Sequence, residues 1–535
     1  MRKKFIEILL NHYFITIIIS GVIGFVSLYL LKDSFTKYKL TLQNQEFISD
    51  SFRVFFEDLN NNGLSEKVFC FNAMNKNATF ILYDDKNNLV DQWNFTDNTV
   101  STINSYWFLD ANNNGFKEIY LVTQKKDSVF LNVLEIFSEK GIINKHKKVF
   151  VDTIHGFNSK YYSAPYNFTL SNHKTENCND VYFTMNTGFG GYPRNLYKYN
   201  YYSNELIKSP HLTNISIISA VADIDNDGFD EVFFKNTSNG NTLNESYTKR
   251  SDLSLWLNVL TKDLKFEFNP VEFKVPFSEL TTLPFKQNGT HKIASLLYSR
   301  RKEEAKTKLC VFNNNGSYLF EKKLPKGWHE LFLNPQKNGF ILYNRANGVL
   351  KNLNFDLKEL DSTVIDSDSE LKPIDIDGNG LNEWISISKS QEKFSIHTPN
   401  FSEKHSFEIP DKEFSQVFFG VKKSLLGNQL YIQKRGHAYF FNYTKNKFYY
   451  FKYAVFPVSF SIVLSLVFLI LKGQKIRIDK KLAIEKEITE LQLKTIKNQV
   501  DPHFVFNAIN TISGLMLTDK KLEADEFICN FSELM

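Results

Sequence analysis

A chain of 535 residues is too long for one ordinary hydrophobic core, so several structural units are expected. Hydrophobic residues make up 42% of it and aromatic residues 15%, which excludes a disordered chain. The net charge of +5 is small for this length and the basic clusters flank apolar runs, so nucleic-acid binding is not indicated.

In chain order, the first element is the uncharged run Tyr13–Leu31, preceded by Arg2, Lys3 and Lys4. Its 19 residues are close to the ~20 a helix needs to cross the hydrocarbon of a bilayer. A cleaved signal peptide is the competing reading, but the apolar part is long and no A-x-A-like site follows. A second uncharged run, Tyr453–Leu471, precedes Lys472, Lys475, Arg477, Lys480 and Lys481. Positive-inside reasoning then places both termini in the cytoplasm and residues 32–452 outside. Pro457 falls in the first turn of a helix starting at Tyr453, where a missing N–H costs little. Cys70, Cys178 and Cys310 would lie outside and Cys529 inside. Three exported cysteines at unrelated spacings predict no disulfide framework.

Between the two runs, one nine-residue pattern occurs four times. It starts at Asp58, Asp110, Asp223 and Asp375. Positions 1, 3, 5 and 9 are Asp58, Asn60, Asn62 and Glu66; Asp110, Asn112, Asn114 and Glu118; Asp223, Asp225, Asp227 and Glu231; and Asp375, Asp377, Asn379 and Glu383. Position 6 is always glycine, which permits a tight turn that folds the oxygens inward. Such oxygen-rich loops suit a hard cation such as Ca²⁺. An EF-hand needs a bidentate Glu at position 12, where this chain has Phe69, Leu121, Phe234 and Ser386. It also needs a flanking helix, whereas strand-like stretches follow here: Lys67–Phe71, Ile119–Val122, Val232–Phe234 and Trp384–Ile387.

Strand, acidic loop, strand resembles the FG-GAP/VCBS repeats of integrin-alpha-like β-propellers. That family more often has Asp at position 9, so the four glutamates are a departure that leaves the coordination geometry open. Loop starts lie 52, 113 and 152 residues apart, or one, two and three units of about 50–56 residues, a blade-sized period. Hairpins without the loop are expected at Asp180–Thr184 with Leu196–Tyr199, Ile293–Tyr298 with Lys308–Phe312, Phe340–Tyr343 with Val349–Phe355, and Leu430–Ile432 with Ala438–Tyr443. The hairpins count to eight blades and the loop period to seven. The fold class expected is therefore mainly β: a seven- or eight-bladed propeller between two transmembrane helices, followed by cytoplasmic helices. Affinity should track carboxylate count, so the third loop, with four, should bind Ca²⁺ best. The fourth has three, and the first two, with two each, should bind weakly or not at all. Structural stapling of blade edges and sensing are both open roles for the ion. The turn-rich Gly188–Pro193 segment could line a ligand-binding face, although a plain hairpin loop accounts for it as well.

After the second run the pattern is helical from Gly473 to Val500, with Ile484, Ile488, Leu491, Leu493, Ile496 and Val500 forming an apolar stripe. This looks like a dimerising signalling helix continuous with the second span. Pro502 should kink it by removing one helical hydrogen bond. His503 follows, and Asn507 lies four residues on, on the same face. A second, antiparallel helix is expected over Leu522–Leu534 after a Thr518–Lys520 turn.

Gln499-Val-Asp-Pro-His-Phe-Val-Phe-Asn-Ala-Ile-Asn510 closely resembles the phosphoacceptor segment of LytS-like sensor histidine kinases, the histidine kinase internal region family. The resemblance covers roughly residues 480–535. It implies that His503 accepts the γ-phosphoryl group of ATP, that Asn507 positions the imidazole or the phosphoryl group, and that the protein works as a homodimer. It also implies transfer to the aspartate of a response regulator, the LytTR type being one candidate. Mg²⁺-ATP is implied as cofactor, yet residues 472–535 contain no Gly-rich phosphate loop and no ATP-lid signature. The chain is therefore expected to be a fragment of a longer kinase, inactive alone, or a substrate phosphorylated in trans.

The organisation expected is a cytoplasmic N-terminus (1–12), a first span (13–31), an exported sensor propeller (32–452), a second span (453–471), a signalling helix (472–500) and a phosphoacceptor segment (501–535). It would sit in a bacterial inner or cytoplasmic membrane, in contact with the lipid bilayer and with an unknown extracytoplasmic ligand. The rival is a membrane-anchored, calcium-binding adhesion or ligand-binding propeller without kinase activity. It accounts for residues 1–471 equally well but leaves the Pro502-His503-Phe504 signature unexplained.

Overall fold

The computed structural model describes residues 12–49, 51–71, 77–99, 106–154, 164–175, 178–187, 189–241, 250–300, 307–388, 393–408, 417–434, 436–499 and 501–534. Arg2, Lys3, Lys4, Gly188, Val500 and Met535 lie outside the described residues. The chain divides into two compact units: Lys37–Lys445, and Met1–Thr36 with Asn446–Met535.

The first unit is built of antiparallel strands. Ser369–Ile374, Glu383–Ser388, Lys393–His397 and Lys404–Glu408 pair in chain order as a four-stranded meander. Trp328–Asn334, Gly339–Asn344, Val349–Asn354 and Glu359–Val364 do the same. So do Ala164–Thr175, Cys178–Asn186, Pro193–Asn200 and Glu205–Lys208. The last sheet is completed from the other end of the unit. Phe418–Lys422, Gln429–Lys434 and His437–Lys445 take Tyr38–Phe47 as their fourth strand, with Tyr38 opposite Lys445 and Phe47 opposite His437. Successive meanders, with the first strand completing the last sheet, are the connectivity of a β-propeller.

The four loop-less hairpins expected from sequence are paired strands. Alternation is clean in Glu66–Phe71, where Val68 and Cys70 are buried, but Glu118–Lys125 is buried over six consecutive residues. Continuous burial follows when both faces of a strand are covered. Here Tyr120 and Val122 pack with Val181, Phe183, Tyr197 and Tyr199 of the next sheet, while Ile119 and Leu121 pack with Val68 and Phe80 from earlier strands of the same eight-stranded sheet.

Burial also neutralises histidines. His397 is held by Ser386 Oγ at 2.9 Å, and burial pushes its pKa down to about 4, with Lys404 and His405 lowering it further and Asp366 raising it. The unfolded chain takes up this proton near pH 6.5, so the stability from neutral His397 is complete above that value and lost as pH falls towards 4. His397→Gln removes the titration. In thermal melts the stability gap between wild type and variant should shrink from pH 6.5 to 4; a constant gap contradicts this.

The second unit is helical. Helix α1 (His12–Leu31) leads into a short 3-10 turn, Lys32–Phe35. Helix α2 runs unbroken over Lys452–Gln499, α3 over Pro502–Leu517 and α4 over Lys521–Leu534. Helix α1 and the first part of α2 are long and apolar enough to cross a membrane, by length and composition. Thr16, Ser20 and Gly24 are the buried positions of α1 over residues 14–31, and a Cβ on Gly24 would lie 3.0 Å from the Phe456 ring, so its absence permits the close approach of α2. Pro457 lies inside α2 rather than in its first turn, because the helix already begins at Lys452 behind the 3-10 turn Tyr449–Phe451.

Candidate phosphoacceptor site and cation loops

Each of the four acidic loops joins two neighbouring antiparallel strands, and position 9 is the first residue of the second of them. The strand places this glutamate under the loop. Its Oε2 accepts the N–H of position 2: Leu59 at 2.7 Å, Ala111 at 2.9 Å, Ile224 at 2.9 Å and Ile376 at 2.9 Å. The aspartate at position 1 accepts the N–H of the position-6 glycine at 2.8–3.2 Å. Positions 3 and 5 accept N–H groups two residues further on. Gly63, Gly115, Gly228 and Gly380 all have φ between 81° and 88°, as the turn requires. Position 4 is left-handed too, occupied by Asn61, Asn113, Asn226 and Gly378. Only Asn and Gly enter that region readily, so this second conformational constraint was readable in the repeat and was missed.

The loops then differ. In the third, carboxylate oxygens of Asp223, Asp225 and Glu231 lie within 4.8 Å of one another; in the fourth, those of Asp375, Asp377 and Glu383 do. Glu383 is fully buried and its Oε1 has no hydrogen-bond partner. Burial pushes Glu231 up to about 8 and Glu383 to about 7. In the first loop, protein donors reach the carboxylate oxygens directly. Lys423 Nζ lies 3.1 Å from Asp58 Oδ2, and Asn60 Nδ2 donates to Glu66 Oε1 at 2.6 Å. In the second, Asn114 Nδ2 donates to Glu135 Oε1 at 3.1 Å, while the buried Glu118 Oε1 has no partner. Asn62 and Asn112 point their amide oxygens at loop backbone. Asp227 lies in the third loop's field beside Glu267, but outside its cluster of three. Lys423 and Glu135 were not legible as loop partners, because both reach the loops only through tertiary packing.

His503 sits at the start of α3. Asp501 is the N-cap, with φ −56° and ψ 113°, and its Oδ1 accepts the His503 N–H at 2.9 Å. Pro502 is the first helical residue, where its missing N–H costs nothing. The expected kink is therefore a break: α2 ends at Gln499 and a newly capped helix begins. The Asp-Pro pair is a helix-start signal that accounts for this. His503 and Asn507 are both exposed, with Asn507 Nδ2 3.0 Å from Nδ1 and 3.3 Å from Nε2 of the imidazole. A neutral imidazole keeps one nitrogen lone pair for attack, and the neighbouring amide can hold the ring's orientation.

Residues 491–535 match the histidine kinase family model. The histidine kinase region thus contains the end of α2 and all of α3 and α4. Phe504 and Phe531 meet at 5.9 Å, and Ala508 and Ala524 are buried, so α4 folds back antiparallel onto α3. Asp519, with φ 61°, turns the chain between them. No curated protein matches the chain. Among solved structures, the chain is similar to virginiamycin B lyase from Staphylococcus aureus (10% identity, 76% of this chain and 99% of that one, TM-score 0.36). It is similar to BamB from Moraxella catarrhalis (10% identity, 76% and 100%, TM-score 0.40). It is also similar to the exotype rhamnogalacturonan lyase YesX (9% identity, 76% and 72%, TM-score 0.43).

Proposed function

We propose that the protein is a membrane-bound sensor histidine kinase with His503 as its phosphoacceptor. The reading rests on one observation: within the residues that match the histidine kinase family, His503 is exposed at the start of a capped helix with the Asn507 amide against its ring. A ring nitrogen of His503 attacks the γ-phosphorus of Mg²⁺-ATP. The P–N bond forms, the bond to the β-phosphate oxygen breaks, and ADP leaves. Asn507 holds the imidazole in line. The phosphoryl group then moves to an aspartate of a response regulator.

The unpartnered apolar stripe on α2 supports a dimer. Ile484, Ile488 and Leu491, on one face of the helix, are exposed in the single chain, as are Leu493 and Ile496 of the next turns, and a helix that leaves such stripes bare buries them against a second copy. Helix α1 and the start of α2 would cross the membrane, with both termini in the cytoplasm. The strand unit would be an exported FG-GAP/VCBS-like sensor of eight blades, counting the two longer sheets as two blades each. Phosphorylation of the full-length protein in membranes supplied with Mg²⁺-ATP should be acid-labile and base-stable, the signature of a P–N bond. Acid-stable phosphate alone would end this reading.

We also propose that the third and fourth loops hold Ca²⁺ through Asp223, Asp225 and Glu231 and through Asp375, Asp377 and Glu383. Hard carboxylate oxygens and the orphaned Glu383 Oε1 fit such an ion. At calcium one hundred times its dissociation constant, each site would add about 2.7 kcal/mol of stability. Calorimetry on the full chain should give heat that Asp225→Asn and Asp377→Asn each reduce and Asn60→Ala leaves unchanged. Heat that persists in the Asp225→Asn/Asp377→Asn double variant contradicts the assignment.

A further inference from the structure

The fourth loop differs from the others in what touches it. Tyr38 is the second residue of the strand unit, and its hydroxyl is hydrogen-bonded to Asp377 and to Asn379, the residues at positions 3 and 5 of that loop. Asn379 Oδ1 already accepts the Leu381 N–H at 2.8 Å, which leaves its amide nitrogen to face the tyrosine. Tyr38 stacks on Tyr443, with ring centroids 4.6 Å apart and planes 5° from parallel. The two are diagonal neighbours on the first and last strands of the unit: Tyr38 lies opposite Lys445 and Leu40 opposite Tyr443. Both rings are buried, in one cluster with Ile376 from inside the loop and Ile385 just beyond it. Tyr443 Oη is buried without a hydrogen-bond partner and lies in the field of Glu383 and Asp377. Unpartnered Glu383 Oε1 is a second buried group at the same cluster of three carboxylates.

Chain connectivity gives this contact its meaning. Helix α1 ends at Leu31, shortly before Tyr38, and α2 begins at Lys452, shortly after Tyr443. The stacked tyrosines therefore stand on the two strands through which the chain enters and leaves the propeller. The third loop has no such neighbour among its described contacts. Beside its carboxylates lies Glu267, and Asn314 donates to the Ile224 carbonyl at 3.3 Å.

We propose that the fourth loop is a divalent-cation sensing site whose occupancy is read by Tyr38 and Tyr443, while the third loop has only a structural part. This rests on the cation reading given above and adds a regulatory role to one of the two sites. Tyr38 ties the strand that follows α1 to two ligand side chains, so an ordered loop holds that strand end and, through the stack, the strand that precedes α2. A ligand that prefers the ordered arrangement stabilises it in proportion to its differential affinity, and strand order must in turn change ligand affinity. Tyr38→Phe keeps the ring stack and deletes the hydroxyl, which separates reading from binding.

The test uses the full chain in nanodiscs with calcium chloride alone, followed by calorimetry and by hydrogen exchange of residues 38–42 and 441–445. At calcium ten times its dissociation constant, exchange in both segments should slow about ten-fold in the wild type. The slowing should be retained in Asp225→Asn and lost in Asp377→Asn. Tyr38→Phe should keep the calcium heat and lose most of the slowing. Calcium heat with unchanged exchange at both strands overturns the sensing role and leaves the cation reading intact. Slowing that vanishes in Asp225→Asn and survives in Asp377→Asn also overturns it. No calcium heat in the wild type removes the cation reading, and the inference with it.

Discussion

His503→Gln is expected to reduce acid-labile phosphorylation of the full-length protein to background. Glutamine preserves the helix and a polar side chain of similar reach, but its amide nitrogen carries no available lone pair for attack on phosphorus. The capped start of α3 is untouched, because Asp501 accepts the backbone N–H of residue 503 and not its side chain. Asn507→Ala separates chemistry from positioning. It leaves the nucleophile in place and removes the amide that lies 3.0 Å from Nδ1. Mispositioning of a reacting group costs on the order of 10²-fold, so this variant should be slow and still labelled at His503. Radiolabelling from Mg²⁺-ATP checks both, and wild-type labelling of His503→Gln would be the contrary result.

Arg194→Met is expected to produce a large loss of stability in the strand unit. The Arg194 guanidinium is fully buried. Its Nη1 lies 2.9 Å from Asp252 Oδ2 and also donates to the Thr213 carbonyl. Nε and Nη2 donate to the Gly190 carbonyl at 3.0 and 2.6 Å, and Nη2 reaches Asn241 Oδ1 at 2.6 Å. Methionine fills much of the volume but leaves Asp252 charged and unpaired, a situation that costs about 3–5 kcal/mol. Asp252→Asn combined with Arg194→Met should recover part of that loss, since no charge then remains buried. Thermal melts of the single and double variants check this; an Arg194→Met melting temperature equal to wild type contradicts it. The network also explains the Gly-rich segment before it. Tyr192 and Arg194 are buried, and Gly191 has φ 69°, where a Cβ would lie 2.6 Å from the Ile215 side chain. The described part of this segment is therefore a packed hairpin loop around Arg194, the plainer of its two sequence readings.

Local rules made much of this molecule readable. The strands that follow the four loops, and the hairpins without loops, are marked by β-branched and aromatic runs bounded by turn residues, signals that operate within ten residues or so, although of the four post-loop strands only Glu66–Phe71 alternates cleanly. The loops repeat one hydrogen-bond pattern because Asp, Gly and Glu recur at fixed offsets. What could not be read depends on residues far apart in sequence. Lys423 reaches Asp58 from the edge of the closing sheet, Glu135 reaches Asn114 from a neighbouring strand, and Tyr38 meets Asp377 only once the first strand has paired with the last. No periodicity encodes such partners. The Pro502 break is different, because its signal was local. Proline inside an apolar-periodic stretch reads as a kink, whereas the preceding Asp501 turns it into the start of a new helix.

The central claim is that His503 carries the phosphoryl group on its way to a regulator. Mass spectrometry at neutral pH can map the modified residue in full-length protein labelled in membranes with Mg²⁺-ATP, before and after a response-regulator receiver domain is added. The account predicts phosphate on a ring nitrogen of His503 first, and its loss from His503 as the receiver aspartate gains it. Phosphate confined to another residue, or a receiver phosphorylated equally well by His503→Gln, would contradict it.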